Sequence, residues 1–173
     1  MPKTLPILLA NNPFLRKKAL TVQSKDLPEV RQLIPVLFNT MYEAEGIGLA
    51  APQVGIGLRF FVMDLSNSEK IDKHIIINPE FIERSKECSE SQEGCLSFPQ
   101  QFSEVIRPNT ITLRFMNIEG QIEEMNAEGL LARCIQHETD HLNGILFVDH
   151  ISSLKRNMIM RKIIKDMKKN HTP

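Results

Sequence analysis

The chain has 173 residues, and its 21 basic residues (Lys and Arg) balance its 21 acidic residues (Asp and Glu), so the formal net charge is zero. This balance disfavours a general DNA or RNA binder, because no global field attracts nucleic acid or an anionic membrane surface. The apolar runs are far shorter than the roughly 18 residues of a membrane-spanning helix. The amino-terminal segment is too weakly apolar for a secretion signal. The odd number of cysteines argues against a disulfide framework.

The first predicted element is an amphipathic helix that begins after Asp26. Apolar residues recur at intervals of three and four over 30–41, which places them on one helical face. Asp26 is the expected N-cap, with Pro28 in the first turn. The helix is expected to stop at Gly46, where the glycine-rich segment 46–55 begins. A turn-rich loop after a helix is a common place to present backbone groups to a ligand.

Short segments rich in β-branched and aromatic residues follow this loop. They predict strands at 59–64, 74–78, 110–116 and 121–125. In the third segment apolar residues alternate with polar ones, so that strand is expected to bury one face. Residues 117–120 are expected to form a hairpin loop between the last two strands.

Two further helices complete the predicted order. One covers about 128–143 and is expected to end at Gly144 in a left-handed conformation. The other covers about 152–170, starts with a Ser cap and carries an irregular apolar face. Because strands and helices do not alternate regularly, we predict a single α+β domain over residues 1–173.

The segment 136–142, with the sequence QHETDHL, carries the clearest chemical signal. His137 and His141 are four residues apart on a helix, so both imidazoles can bind one metal ion. Glu138 can then reach a metal-bound water without itself being a ligand. The alternative is a pair of solvated or core histidines on an ordinary helix.

Catalytic centres of this type usually use three protein ligands, so a third residue is needed. Cys95 is the favoured candidate, because Gly94 permits close backbone approach and a thiolate with two imidazoles leaves one open position for water. Cys88 is the rival ligand, but the polar stretch 85–90 around it is typical of a surface loop. Cys134 lies three residues before His137 and is expected to line a pocket wall.

The segments 46–53 (GIGLAAPQ), 93–97 (EGCLS) and 136–142 (QHETDHL) resemble the three signature motifs of peptide deformylase. They occur in the order of that family and at similar separations, and the match spans nearly the whole chain. The resemblance implies an α+β fold in which small mixed or antiparallel sheets pack around a central metal-binding helix, with a C-terminal helix. It also implies a hydrolase that removes the formyl group from formyl-methionine at the start of nascent chains, releasing formate.

The resemblance also implies roles for individual residues. Cys95, His137 and His141 would be metal ligands, and Glu138 would be the catalytic acid and base. Gln53, through its side chain, and Leu96, through its backbone N–H, would donate hydrogen bonds to the oxyanion. The metal would be Fe²⁺ in the cell, with Ni²⁺, Co²⁺ or Zn²⁺ able to substitute.

A methionine-specific site needs an apolar slot beside the metal. Leu130 and Cys134 would continue the metal-bearing helical face as one wall, and by the resemblance Ile47 would form the opposing wall. Each of these three residues could instead belong to the core. The backbone of Gly48 is a candidate partner for the peptide in strand addition.

Some features depart from the family pattern or are less specific. Phe102 stands where some members carry a peptide-contacting Arg, so the outer substrate site is expected to differ. The resemblance implies that Glu45 and Arg107 form an ion pair that supports the Gly and Cys loops, the alternative being two unrelated surface charges. The remaining histidines fit no ligand spacing and are expected to be structural or exposed: His74, His150 and His171.

The last predicted helix is strongly basic between residues 155 and 169. A solvated face is the commonest meaning of such a run. The resemblance suggests instead that this helix docks near the ribosomal exit tunnel through phosphate contacts that weaken with salt. We expect a cytoplasmic protein, and the neutral charge and lack of an apolar repeat favour a monomer.

Two other functions fit parts of the same pattern. A zinc peptidase of the His-Glu-x-x-His type would activate water in the same way, but the Cys ligand and the short chain argue against it. A structural metal-binding or ribosome-associated module without activity is the non-enzymatic alternative. It is disfavoured because all the positions implied in catalysis carry competent residue types.

Overall fold

Three α-helices and seven strands organise residues 3–170, the part of the chain that this computed structural model describes. The helices are α1 (Leu27–Glu43), α2 (Gly129–Leu142) and α3 (Ser153–Asn170). The strands are β1 (Gly48–Ala50), β2 (Phe60–Asp64), β3 (Lys73–Arg84), β4 (Cys88–Cys95), β5 (Phe98–Pro108), β6 (Thr110–Met116) and β7 (Ile122–Glu128).

The strands form two antiparallel sheets. The larger sheet has five strands in the order β1-β2-β3-β6-β7, and β4 and β5 form a separate hairpin. Helix α2 contacts β1 and β7 of the larger sheet and β5 of the hairpin, so it lies between the two sheets. The predicted α+β class with a central helix is confirmed.

Strand β2 shows how the core is built. Its side chains alternate between the two faces of the sheet, as the pleat requires. Phe61 and Met63 pack with α2 residues such as Ile135, whereas Phe60 and Val62 belong to the cluster beneath α1. Both faces of this strand are therefore buried, which fits its continuous apolar sequence.

A third core cluster attaches the C-terminal helix. Ile159 and Ile163 of α3 are buried together with Phe98 of β5 and Phe147. The rings of Phe98 and Phe147 meet edge to face, with 5.0 Å between their centroids. One face of α3 is therefore part of the core, and most of its basic residues are exposed.

Four helix ends were predicted at named residues; two of them agree with the structure, and α1 ends at Glu43 instead of continuing to Gly46. Gly144 has φ +72° just after α2, and Ser152 Oγ accepts a hydrogen bond from the N–H of Lys155 at the start of α3. Asp26 precedes α1 as predicted, but its carboxylate accepts from the N–H of Gln23 instead of capping the helix.

Two strand predictions were wrong. The strand expected to end before Pro79 continues to Arg84, because register shifts after Ile77 let the ladder with β6 resume beyond the proline. The stretch 85–90, expected to be a loop, contains the start of β4, which pairs in register with β5. Cys88 is exposed there, as expected. Within the described residues, no helix has the length and apolarity to cross a membrane.

Candidate metal and substrate site

The last residue of β4 and two residues of α2 bring three ligand side chains together. The ligand atoms of Cys95, His137 and His141 all lie within 4.8 Å of one another. The Sγ of Cys95 is 3.3 Å from the Nε2 of His141. This is close to the distance of about 3.6 Å expected between a sulfur and a nitrogen that bind the same tetrahedral, zinc-sized ion. The rival Cys88 lies at the opposite end of β4 and is exposed.

The orientation of His137 is set by Glu93. The Nδ1 of His137 lies 3.1 Å from a carboxylate oxygen of Glu93, which assigns the proton to Nδ1 and leaves Nε2 to face Cys95. Burial lowers the pKa of the His137 imidazole, but its hydrogen bonds to Cys95 and Glu93 outweigh burial and raise that pKa well above its ordinary value. The negative charge of Glu93 beside this imidazole also favours a metal cation at this position.

Glu93 is itself held by two arginines, of which Arg107 is buried and Arg133 is partly buried. The Nε and Nη2 of Arg107 donate to its two carboxylate oxygens at 2.6 and 3.0 Å, and Arg133 donates at 2.8 Å. Burial would raise the pKa of the Glu93 carboxyl, but the His137 and Arg107 contacts hold it well below its usual range. Arg107 also donates to Asp140 at 2.8 Å, so a single network links β4, β5 and α2.

This network corrects the predicted ion pair. Arg107 is buried and pairs with Glu93 and Asp140, whereas Glu45 is exposed at the mouth of the site. Sequence reasoning missed Glu93, because its position beside Cys95 becomes visible only once this polar segment is recognised as a strand. Glu93 precedes Cys95 by two residues, so strand periodicity places both side chains on the same face of β4.

Glu138 is buried beside the three ligands. Its Oε2 has no hydrogen-bond partner among the described residues, and burial raises the pKa of its carboxyl to about 7. The carboxylate packs against the α-carbon of Gly48, where a β-carbon would lie only 2.5 Å from Oε1. A side chain at position 48 would therefore displace this carboxylate, because Glu138 is buried and the Sγ of Cys134 lies on the same side of Gly48.

Gln53 and Leu96 approach the Cys95 side of the site. The Oε1 of Gln53 accepts from the N–H of Ala50 at 2.9 Å, and its Nε2 donates to Ser97 Oγ at 3.2 Å and lies 3.5 Å from Cys95 Sγ. The amide N–H₂ group is thus turned toward the cysteine. Leu96 lies in the two-residue turn that joins β4 to β5.

A cleft of about 700 Å³ opens beside these groups. Cys134 lines it and is buried among core residues, so it combines the predicted roles of pocket wall and core. Ile47 and Leu130 also line the cleft but are 47% and 59% exposed, so the core alternative was wrong for both. Gly48 contributes backbone from β1, the edge strand of the larger sheet.

The remaining histidines lie outside the ligand cluster. The Nε2 of His74 is 2.9 Å from Asp72, and the Nε2 of His150 is 2.7 Å from Asp140. Both therefore have structural carboxylate partners, as expected. His171 lies outside the described residues.

Comparisons with known proteins agree with the geometry of this site. Residues 4–157 match the sequence profile of the polypeptide deformylase family. The peptide deformylase of Mesorhizobium japonicum is 44% identical over 169 residues, covering 97% of this chain and 95% of that protein. The peptide deformylase of Rhodopseudomonas palustris is 51% identical over 144 residues, covering 82% of each chain.

Solved structures agree with the sequence matches. The crystal structure of a peptide deformylase from Legionella pneumophila has a TM-score of 0.89 at 41% identity, covering 98% of this chain and 99% of that chain. The enzyme from Ehrlichia chaffeensis has a TM-score of 0.92 at 32% identity, covering 98% of this chain and 100% of that chain. The chain therefore belongs to the polypeptide deformylase family, metal-dependent hydrolases that remove the formyl group from the amino terminus of newly made proteins.

Proposed function

We propose that Cys95, His137 and His141 bind a divalent cation and that Glu138 transfers protons during hydrolysis of the formyl group. The observation that carries this assignment is the convergence of one thiol and two imidazoles beside a buried carboxylate whose Oε2 lacks a hydrogen-bond partner among the described residues. A buried carboxylate oxygen without a hydrogen bond destabilises the folded state, unless a ligand or a water molecule supplies that bond.

The donor set fits the metals of this family. One thiolate and two imidazoles suit Fe²⁺, Co²⁺, Ni²⁺ and Zn²⁺, and availability decides among them. We propose Fe²⁺ as the physiological ion, with the other three able to substitute. The test is metal analysis of protein purified without oxygen from cells grown without added metal; zinc alone in the active fraction would contradict the proposal.

When bound, the cation supplies a Lewis acid that lowers the pKa of water toward neutrality and polarises a carbonyl oxygen. Glu138, whose buried Oε2 has no hydrogen-bond partner among the described residues, accepts the proton of the attacking water and later donates it to the departing amine. Charge that develops on the formyl oxygen is stabilised by the Gln53 amide and the Leu96 N–H. Pre-positioned donors of this kind contribute roughly 3 to 4 kcal/mol each to transition-state binding.

The cleft supports binding of formyl-methionine. Cys134, Ile47 and Leu130 offer an apolar, partly open surface for the unbranched methionine side chain. The peptide backbone adds to the free edge of β1 at Gly48, so main-chain hydrogen bonds supply affinity without selecting the sequence that follows.

The proposed chemistry is tested by formate release from formyl-Met-Ala-Ser, with metal content measured on the same samples. We expect Cys95→Ser to lose metal and activity, and Glu138→Ala to lose activity alone. The matched control is Cys88→Ser, because this exposed thiol lies away from the site and its loss should change neither quantity. No release by the fully metallated parent would overturn the proposal.

The basic face of α3 supports docking to the ribosome near the exit tunnel. Arg161, Lys162 and Lys165 are exposed, while Ile159 and Ile163 anchor the helix in the core. Deleting the helix would therefore damage the fold, so the test is replacement of these three cations by Glu. We expect weaker, still salt-sensitive co-sedimentation with ribosomes; unchanged co-sedimentation would contradict docking.

We further propose that residues 1–173 form one domain that acts as a monomer in the cytoplasm. The shared cluster of α3, β5 and Phe147 supports a single folding unit. Calorimetry should give one transition and sedimentation equilibrium a mass near 19.8 kDa. Two transitions, or a dimer mass, would contradict this proposal.

A further inference from the structure

His150 is the outer end of a hydrogen-bond chain that reaches a metal ligand. Its Nε2 is 2.7 Å from Oδ2 of Asp140, and the same oxygen accepts from Nη1 of Arg107 at 2.8 Å. Arg107 donates to both carboxylate oxygens of Glu93, and one of these oxygens lies 3.1 Å from the Nδ1 of His137. Every link from His150 to His137 is therefore within hydrogen-bond distance.

This chain of contacts runs from solvent into the core. The side chain of His150 is 34% exposed and that of Asp140 is 18% exposed, whereas those of Arg107 and Glu93 are each 5% exposed. A carboxylate only accepts hydrogen bonds, so the Nε2–H of His150 is the donor to Asp140. The Asp140 oxygen is thus held from both sides, by the buried guanidinium and by the partly exposed imidazole.

The backbone that carries His150 is anchored. His150 ends the 3₁₀ turn Phe147–His150, in which Asp149 forms an ion pair with Arg16. Phe147 of the same turn is buried and stacks on His137, with 6.4 Å between the ring centroids. Because the turn is fixed at these points, the imidazole of His150 is pre-positioned at the outer end of the chain.

We propose that His150 is a positioning residue for the metal centre. Its imidazole holds Asp140 in place, and the Asp140 carboxylate holds Arg107. Arg107 in turn fixes the carboxylate that orients His137. This inference rests on the metal-binding part of the proposed function and adds to it a residue that touches neither the metal ligands nor the cleft.

The test measures Co²⁺ affinity by competition with a chelator, together with the visible absorption of the bound Co²⁺. His150→Leu keeps most of the side-chain volume but removes the donor. A direct partner of a metal ligand alters metal affinity by about 10- to 100-fold, and residues further along a coupled network have effects of about 2- to 30-fold. We expect a loss within the second range for His150→Leu. His150→Gln should recover most of the affinity, because its amide N–H₂ group can donate to Asp140.

The matched control is His74→Leu. The Nε2 of His74 lies 2.9 Å from Asp72, a comparable contact between an imidazole and a carboxylate, but His74 is on β3 and outside the ligand cluster. Its replacement should leave the Co²⁺ affinity and spectrum unchanged. A loss of affinity in His74→Leu as large as that in His150→Leu would overturn the inference.

A double-mutant cycle with Glu93→Gln separates this route from the stacking of Phe147 on His137. One amide oxygen cannot serve both Arg107 and His137 as two carboxylate oxygens do, so the chain is interrupted in that variant. Adding His150→Leu to Glu93→Gln should then cause little further loss of Co²⁺ affinity.

Two results of this cycle would overturn the inference alone. Equal losses from His150→Leu in the two backgrounds would assign the effect to Phe147, and unchanged Co²⁺ affinity in His150→Leu would show no coupling to the metal centre. Failure of the parent protein to bind Co²⁺ would instead overturn the proposed metal site and this inference with it.

Discussion

Replacement of Glu93 by Gln tests how the site is held together. The Glu93 carboxylate is 6% exposed and accepts hydrogen bonds from Arg107 and Arg133 while facing the Nδ1 of His137. The substituted amide would keep the shape of the side chain but not its charge. Arg107 would retain Asp140 as its only carboxylate partner among these contacts, so positive charge would remain buried with less compensation.

The magnitude follows from burial. Removing one partner of a buried ion pair costs about 3 to 5 kcal/mol in the free energy of unfolding. For a chain of this length each kcal/mol lowers Tm by roughly 2 to 4 °C, so we expect a decrease of about 6 to 20 °C. Because Glu93 also orients His137, metal affinity should fall by about 10- to 100-fold.

The matched control is Glu124→Gln. Arg114 donates to Glu124 at 2.8 and 2.9 Å, but these side chains are 46% and 51% exposed. An exposed pair contributes less than about 1 kcal/mol. Urea denaturation gives the unfolding free energies, and competition with a chelator gives the metal affinities. Equal losses in the two variants, or unchanged metal affinity in Glu93→Gln, would refute the reasoning.

Three further predictions concern the site and its surroundings. Gly48→Ala should lower kcat roughly 10²- to 10⁴-fold with the metal retained, because a β-carbon there would displace Glu138; steady-state kinetics with unchanged kcat would contradict it. Gln53→Ala should lower kcat by about 10²- to 10³-fold, and an unaltered kcat would remove Gln53 from the oxyanion site. Hydrogen bonds, first from Ser66, lower the pKa of Asp64 from 3.8 to about 2, so Asp64 stabilises the fold above about pH 4 and this contribution fades as the pH falls toward 2. The Tm difference between the parent and Asp64→Asn should therefore shrink over that interval, and a constant difference would contradict it.

The sequence was sufficient to predict the helical half of the site. His137, Glu138 and His141 are adjacent on a helix because their spacing alone determines a shared face. The α+β class and the position of α2 were also predictable, because apolar periodicity reports burial. Local periodicity could not predict Cys95 as a ligand, because its approach to α2 is a long-range contact. The motif around Cys95 identified it instead.

The hairpin of β4 and β5 was not predictable from apolar patterning. Ser89, Ser91 and Gln92 in β4 are polar and exposed, and their pairing with β5 depends on backbone hydrogen bonds that any side chain permits. The partner of Arg107 was missed for the same reason. Without β4 as a strand, the shared face of Glu93 and Cys95 was hidden, and the pairing of Arg107 with Glu45 rested on the family resemblance alone.

The proton-transfer role of Glu138 is the central claim, and Glu138→Gln tests it most directly. Formate release from formyl-Met-Ala-Ser and metal content are measured on one anaerobic sample of each protein. We predict equal metal content and a loss of kcat of roughly 10²- to 10⁴-fold, since the amide keeps the shape but cannot accept the proton. Full activity in Glu138→Gln at equal metal content would contradict the account.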